Sequence, residues 1–372
     1  MSYNRIVIKL GTNLLTGGSD RLNLETMASL VGQIARLHKD GVGVVVVSSG
    51  AIAAGRQRLG ITGDKQSKEI PFKQVLAAVG QSRLMDAYDQ LFGWHEIIIA
   101  QTLLTRADLS DRLRYLNAQN TLRTLMELRV IPIVNENDVV AVEEIQETKF
   151  GDNDNLSALV ANLIDADLLM LLTDTAGLYT TDPNRDHNAR LIERVERIDV
   201  AIEKLAGASI SGRGTGGMAT KIEAAKLATA SGVAVVIASG HAPDVVVKLA
   251  KGESIGTYFQ PVASRLESRK RWLLSQLSKG KLFIDEGAAA ALHKQNRSLL
   301  PAGITKVSGK FERGDVVNIF ESTTGEKLAY GIANYSSGDI AKIKGAHSDK
   351  ITELLGHEYG AEVVHRDNLV VL

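Results

Sequence analysis

The chain is expected to fold as an α/β protein, a three-layer sandwich around a mainly parallel sheet, with a second, small mostly-β domain after it. Three observations carry that expectation. Short β-branched runs alternate with longer stretches of helical spacing over about the first 260 residues. Those runs are apolar through their middles, as strands buried on both faces must be. After Pro261 the character changes: a basic, helix-compatible stretch from Arg265 to Trp272 and a small, polar stretch from Ser275 to Lys279 lead into short strands punctuated by glycine.

From the N-terminus onward, the strand runs are 5–10, 42–47, 96–100, 130–134, 168–173 and 233–238. Met27, Leu30, Val31, Ile34 and Leu37 recur at three and four, with Asn23 placed to cap the helix and Gly41 to stop it. Helical spacing returns at 72–91, 113–128, 156–164 and 220–231, so the chain reads βαβα. Pro132 is discordant, because it cannot donate to a ladder; its strand should lie at an edge or hold the missing N–H outside the pairing. Beyond the boundary, strands are expected at 281–285, 306–310, 316–320 and 328–334, with a helix at 287–294. The expected domains are 1–262 and 279–372, the second including the C-terminal tail, joined by a linker at 263–278.

Composition excludes several functions. The chain has 372 residues, with 43 basic and 43 acidic side chains, so no global field draws it to nucleic acid or to an anionic membrane. It has no Cys, which removes disulfides, thiolate zinc sites, iron–sulfur ligation and a cysteine nucleophile. The eight His show no paired metal-ligand spacing. The longest apolar stretches, 42–47 and 168–172, fall far short of the roughly 20 residues that span a bilayer. The N-terminus enters an apolar strand without a signal-peptide pattern, so a cytoplasmic protein is expected.

In an open parallel sheet the ligand lies beyond the carboxyl ends of the strands, where loops converge and helix N-termini present free N–H groups. Five strand ends here deliver polar groups to that edge: Lys9 with Gly11 and Thr12, Ser48 with Ser49 and Gly50, Asn135 to Asp138, Thr173 with Asp174, and Ser239 with Gly240. Lys9 followed by Gly11 and a hydroxyl suits phosphate oxygens, with the ammonium as a point charge. Taken alone it is also what a strand-end lysine reaching solvent would look like. It is not a Walker A loop, which occurs nowhere in the chain.

The stretch from Ser211 to Lys221 is a glycine-rich loop that runs into a helix bearing Lys221, an arrangement able to wrap an anion. Its Gly212-x-Gly214-x-x-Gly217 formally matches the dinucleotide fingerprint. No strand precedes it, and Ile237 and Ala238 stand where an acidic ribose ligand belongs, so that reading is rejected. From Gly151 to Asn155 five consecutive helix-breaking residues open a helix, more than capping needs. With the Asn135 to Asp138 cluster they supply acceptors for a substrate ammonium, while Ser48, Ser49 and Gly50 could hold a carboxylate. A Gly-x-Ser-x-Gly elbow is absent, which disfavours a hydrolase serine.

These segments together resemble the amino acid kinase family: 7–12, 47–55, 134–138, 151–157, 172–174 with 177–179, and 214–221 follow the family's order through the first domain. The C-terminal module resembles a PUA domain. Ser48, where a Thr often stands in that family, is a conservative difference. The resemblance implies ATP-dependent phosphorylation of the L-glutamate side-chain carboxylate to L-glutamate 5-phosphate, the first step of proline biosynthesis, with Mg2+ on the nucleotide. It also implies roles. Lys9 and Lys221 flank the transferring phosphoryl group and Asp154 organises both. Thr173, Asp174 and the loop of Thr215, Gly216, Gly217, Met218, Ala219, Thr220 and Lys221 contact ATP, as does Lys9. Ser49, Asp138 and Asn153 hold glutamate, and no protein metal ligand is assigned. Proline as feedback inhibitor and a homo-oligomer, dimer or tetramer, follow from the same likeness.

Two other readings remain open. A kinase for aspartate, N-acetylglutamate or a nucleoside monophosphate would use the same backbone chemistry. An RNA-binding factor is the alternative from another class, but residues 279–372 carry twelve basic and twelve acidic side chains. Phe311, Phe320, Tyr330 and Tyr335 are expected in the core of that module rather than as a stacking platform. Neither a membrane nor a nucleic acid is expected as a partner.

Overall fold

The computed structural model describes residues 3–61, 69–141, 153–183, 185–208, 217–262, 278–295 and 297–372. It divides into one unit of Met1–Leu109 with Ala118–Ala263, and another of Ser110–Asn117 with Ser264–Leu372. The linker expected at 263–278 lies, apart from Ser278, outside the described residues.

The first unit is built on eight strands in the order β3-β4-β2-β1-β5-β7-β8-β6. They are β1 (Arg5–Leu10), β2 (Gly43–Ser48), β3 (Ile99–Leu104), β4 (Ile131–Glu136), β5 (Leu168–Thr173), β6 (Arg194–Val195), β7 (Ala234–Ser239) and β8 (Thr257–Phe259). Neighbours from β3 to β7 pair in parallel, so the carboxyl ends of β1, β2, β4, β5 and β7 share one edge as the sequence implies. The short β8 runs antiparallel to β7, and β6 pairs with β8 in parallel. The helices of this part of the chain are α1 (Thr12–Thr16), α2 (Leu24–Lys39), α3 (Ala51–Leu59), α4 (Ile70–Gly93), α5 (Arg106–Ser110), α6 (Arg112–Glu127), α7 (Asn153–Leu163), α8 (Val200–Ala208), α9 (Met218–Ala230) and α10 (Val245–Ala250). Asn23 caps α2 as expected, its side chain accepting from Thr26 N at 3.0 Å.

Strand period decides which layer each side chain enters. Ile6, Ile8 and Leu10 point with Val44, Val46, Met170 and Leu172 into a core closed by Leu30 and Ile34 of α2 and Leu84 and Tyr88 of α4. The alternate residues Val7, Val45, Val47, Leu169 and Leu171 are buried on the other face, where α7 packs on β1, β2 and β5. Each such side chain contributes roughly 1.5–3 kcal/mol by leaving water. Lys9 has the parity of Val7, so it enters the α7 layer; Ser48 has the parity of Val46, so it enters the α4 layer.

Two strand expectations change. The run at 96–100 is displaced to Ile99–Leu104, because Glu96 takes a positive φ of 60° and still belongs to the turn after α4. β3 is also an edge strand whose residues are mostly half-buried, so Gln101 and Thr102 are tolerated and the continuous apolar pattern is not required. β4, by contrast, is interior, so Pro132 does not lie at an edge. Ile131 N donates toward β3, to Ile98 O, which turns the Pro132 nitrogen toward β2. Pairing with β2 starts only at Ile133, so the missing donor falls outside the ladder.

The second unit carries a five-stranded sheet of order β10-β9-β11-β12-β13. Its strands are β9 (Gly280–Ile284), β10 (Ile304–Gly309), β11 (Val316–Glu321), β12 (Lys327–Ile332) and β13 (Leu369–Val371). Its helices are α11 (Glu286–Gln295), α12 (Ser337–Ile343) and α13 (Ile351–Leu355). Phe311 and Tyr335 are in its core, as expected. Tyr330, half-buried on the opposite face of the sheet from Ala329, packs against a second buried cluster that includes Val316, Ile332 and Val370. Phe320 is not in a core: it alternates with the buried Ile319 and lies half-buried, stacked on Phe283 at 5.5 Å.

Candidate functional site

α7 begins where the strand ends converge, and its first two residues build two different centres. Asp154 is 1% exposed, and each of its oxygens meets an ammonium. Lys9 Nζ, from the end of β1, lies 2.5 Å from Oδ1, and Lys221 Nζ, from the first turn of α9, lies 3.2 Å from Oδ2. The two lysines, some two hundred residues apart in sequence, are thus joined by one carboxylate. Thr220 Oγ1 adds a hydrogen bond to Oδ2 at 2.8 Å, and Ser157 Oγ donates to the Asp154 carbonyl at 2.6 Å. Burial by itself pushes the Asp154 carboxyl up. Lys9 and Lys221 outweigh it, with hydrogen bonds from Lys9 and Thr220, and hold the carboxyl well below the usual carboxylate range. The group is a fixed anion, with no proton to give.

The second centre is neutral. Asn153 Nδ2 lies 3.0 Å from each of Ser48 O, Ser49 Oγ and Asn135 Oδ1. Asn135 Nδ2 in turn donates to Gln81 Oε1 at 2.8 Å. Ser48 Oγ donates to Ser49 O, so Tyr88 OH, 2.8 Å away, supplies the proton of their shared bond. Tyr88 is fully buried, and burial pushes its phenol well up, only partly opposed by Ser48, so it stays a neutral donor.

Close packing of α3 on α4 brings Gln81 to this centre. A Cβ on Gly80 would overlap the Ala51 carbonyl, and one on Gly55 would overlap the Leu76 carbonyl, so the two backbones touch there. Gln74, two turns before Gln81 on the same helix face, donates through Nε2 to the carbonyls of Asp138 (3.2 Å) and Val139 (3.0 Å). α4 therefore grips the end of β4 through Gln81 and the segment after it through Gln74.

The sequence-derived residues fall as follows. Lys9, Asp154 and Lys221 meet, and Ser49 and Asn153 meet. Asp138 stands half-buried three residues beyond Asn135. Thr173 and Asp174, at the end of β5, bond each other, Thr173 Oγ1 donating to Asp174 Oδ1 at 2.9 Å, and Asn13 Nδ2 donates to Asp174 Oδ2 at 3.2 Å. Gly217 caps α9, Met218 is half-buried and Ala219 exposed. Thr220, expected beside the nucleotide, turns its hydroxyl to Asp154. Thr215 and Gly216, with the rest of 209–216, lie outside the described residues, as do Gly151 and Asp152. Sequence reasoning overlooked Gln81 and named Asn135 only within the Asn135 to Asp138 cluster of acceptors; the available signal for Gln81 was the Gln74–Gln81 spacing of seven beside Gly80. No helix among the described residues is long and apolar enough to cross a membrane, and no group of three or more His, Cys, Asp or Glu among them could hold a metal.

Comparison with known proteins adds to this geometry. The amino acid kinase family matches residues 4–239 and the PUA domain residues 280–355. A relative named glutamate 5-kinase from Dehalococcoides mccartyi is 57% identical over 371 residues, covering 100% of this chain and 99% of its own. Proteins of the same name from Herpetosiphon aurantiacus (99% of this chain, 98% of its own) and Shewanella amazonensis (100% and 96%) are each 53% identical. A crystal structure of UMP kinase from Bacillus anthracis aligns with a TM-score of 0.47 at 16% identity, over 71% of this chain and 98% of that one.

Proposed function

The chain belongs to the amino acid kinase family, and on that basis we propose that it transfers the γ-phosphoryl group of ATP to the side-chain carboxylate of L-glutamate, releasing L-glutamate 5-phosphate and ADP. The observation that carries the reading is the Asp154 carboxylate held between Lys9 and Lys221 at the converging strand ends. A glutamate carboxylate is already a nucleophile near pH 7, so no general base is needed and catalysis reduces to alignment and charge neutralisation. One carboxylate oxygen attacks the γ-phosphorus, the bond to the β,γ-bridging oxygen breaks, and ADP leaves with that electron pair. Lys9 and Lys221 neutralise the charge spread over the migrating group from two sides. Asp154, being a fixed anion, keeps both ammoniums in place without competing for a proton.

Thr173, Asp174 and the 215–221 loop, with Lys9, are assigned to ATP; Ser49, Asp138 and Asn153 are assigned to glutamate. Mg2+ enters as the magnesium complex of ATP, carried on the phosphates. Residues 1–262 form the catalytic domain in this reading, 263–278 a linker and 279–372 the appended module. Proline as an inhibitor, a homo-oligomeric state and a cytoplasmic location complete it. The test is coupled ADP release with glutamate, aspartate, N-acetylglutamate and UMP as acceptors, with and without proline. Turnover with glutamate and slowing by proline are expected. Preference for any other acceptor overturns the substrate assignment.

A further inference from the structure

The chain of amides between Ser48 and Gln81 fixes its own polarity. The Ser48 carbonyl can only accept, so the edge of Asn153 that faces it at 3.0 Å is the NH2 group. The Asn135 atom facing that NH2 also accepts from Glu136 N at 2.9 Å, which identifies it as Oδ1 from the other direction. Asn135 must then offer its own NH2 to Gln81, and Gln81 must answer with Oε1. Two atoms are left over, Asn153 Oδ1 and Gln81 Nε2. Both are buried, and neither has a hydrogen-bond partner. One is an acceptor and the other a donor. Folded proteins rarely leave such atoms unpaired, because the desolvation of each is uncompensated.

A direction along the site follows. Asn153 and Asp154 are neighbours in α7, one turned to the amide chain and the other to the two lysines. The reacting end of an acceptor belongs at the lysines, so its far end belongs at the amides. For an amino acid, that far end carries a carboxylate, which takes a donor, and an ammonium, which takes an acceptor.

We propose that Gln81 is a specificity-determining residue of the acceptor site, donating through Nε2 to the α-carboxylate of the amino acid, with Asn153 Oδ1 accepting from the α-ammonium. This rests on the glutamate-kinase reading above and adds a residue from α4 to it. Gln81 selects acceptors that carry an α-carboxylate. It plays no part in charge neutralisation at phosphorus, so its loss acts on acceptor binding rather than turnover.

Two substitutions separate this role from a structural one. Gln81→Glu keeps an oxygen for Asn135 Nδ2 and replaces only the free donor by an anion; Gln81→Met removes both groups at similar size. Glutamate KM, ATP KM and kcat are measured at pH 8, together with calorimetric titration of glutamate into nucleotide-free protein and thermal unfolding. Gln81→Glu is expected to raise glutamate KM and Kd by more than about 30-fold and Gln81→Met by about 10-fold, as for losing a hydrogen bond to a charged group. For both, kcat and ATP KM are expected within about threefold of wild type. If Gln81 merely supports Asn135, Gln81→Glu behaves as wild type while Gln81→Met does not, and the assignment is overturned. Equal loss of kcat and unchanged glutamate affinity in both variants overturns it as well. If the wild-type protein neither binds nor phosphorylates glutamate, the acceptor reading itself fails and takes this assignment with it.

Discussion

Asn153 and Asp154 open the same helix, yet the centres they build are finished to different degrees. In the charged centre the carboxylate is paired by the fold itself: both Asp154 oxygens meet ammoniums, and Thr220 secures one of them, with two ammoniums against one carboxylate leaving an excess of positive charge. The amide centre is incomplete, with a donor and an acceptor buried and unpaired. The reason is the relative cost of leaving each kind of group alone. A buried carboxylate left without partners costs several kcal/mol, so the fold itself supplies the partners of Asp154. A neutral amide atom left unpaired costs about 1–3 kcal/mol, small enough to be tolerated until a substrate arrives. In the proposed reading, the first centre serves alignment and charge neutralisation and the second serves recognition.

The strongest challenge to that division is Asp154→Asn, which leaves two buried ammoniums against a neutral amide. A loss of about 3–5 kcal/mol in unfolding free energy is expected, read by urea denaturation. Its pH dependence follows from the sign of the shift. A carboxyl held low in the folded state contributes its full stability above the unfolded value of about 4, and loses it only as pH falls through the folded value. The stability gap between wild type and variant should therefore be constant from about pH 5 to pH 8 and narrow only below about pH 4. A gap that closes within the neutral range would mean that Asp154 is not a fixed anion.

Next in size, Lys9→Ala and Lys221→Ala are each expected to lower kcat by on the order of 10²–10³, with smaller effects on stability, as for losing an aligned transition-state donor. Near-full kcat in either would dissolve the charged centre as a catalytic unit. Asp138→Ala probes the recognition side: glutamate KM should rise by about tenfold with kcat little changed, since the Asp138 carboxylate would hold glutamate equally in the ground state and the transition state. A raised ATP KM instead would move Asp138 to the nucleotide end. Tyr88→Phe should have the smallest effect, about 1 kcal/mol of stability for a neutral donor withdrawn from Ser48, measured by thermal unfolding. A loss well above that would make Tyr88 a keystone of the amide centre.

Much of this was legible in the linear chain. Apolar runs and helical spacing located β1, β2, β4, β5 and β7 with α2, α4, α6, α7 and α9 to within a few residues, because their periods are local properties of side chains, whereas the short helices α3 and α12 were not expected. The edge strand β3 was displaced, since its half-exposed position relaxes the apolar pattern that marks its interior neighbours. The half-buried Phe320 was misassigned because composition does not say which face of a strand is covered. Lys9, Ser49, Asp154 and Lys221 stood out as polar groups at strand ends and helix starts. Gln81 did not, because the Gln74–Gln81 spacing of seven marks a shared helix face without saying whether that face meets a site or water.

The α/β class, the polar edge of the sheet and the residue types able to act there follow from the order of residues alone, since periodicity and local chemistry are enough to specify them. Folding in three dimensions was needed to bring Lys9 and Lys221 onto one carboxylate, to let α4 approach at Gly55 and Gly80 closely enough for Gln81 to reach Asn135, and to leave particular amide atoms unpaired. Those outcomes depend on distances of a few ångströms between segments far apart in the chain. Such distances are set by packing, which no local pattern encodes.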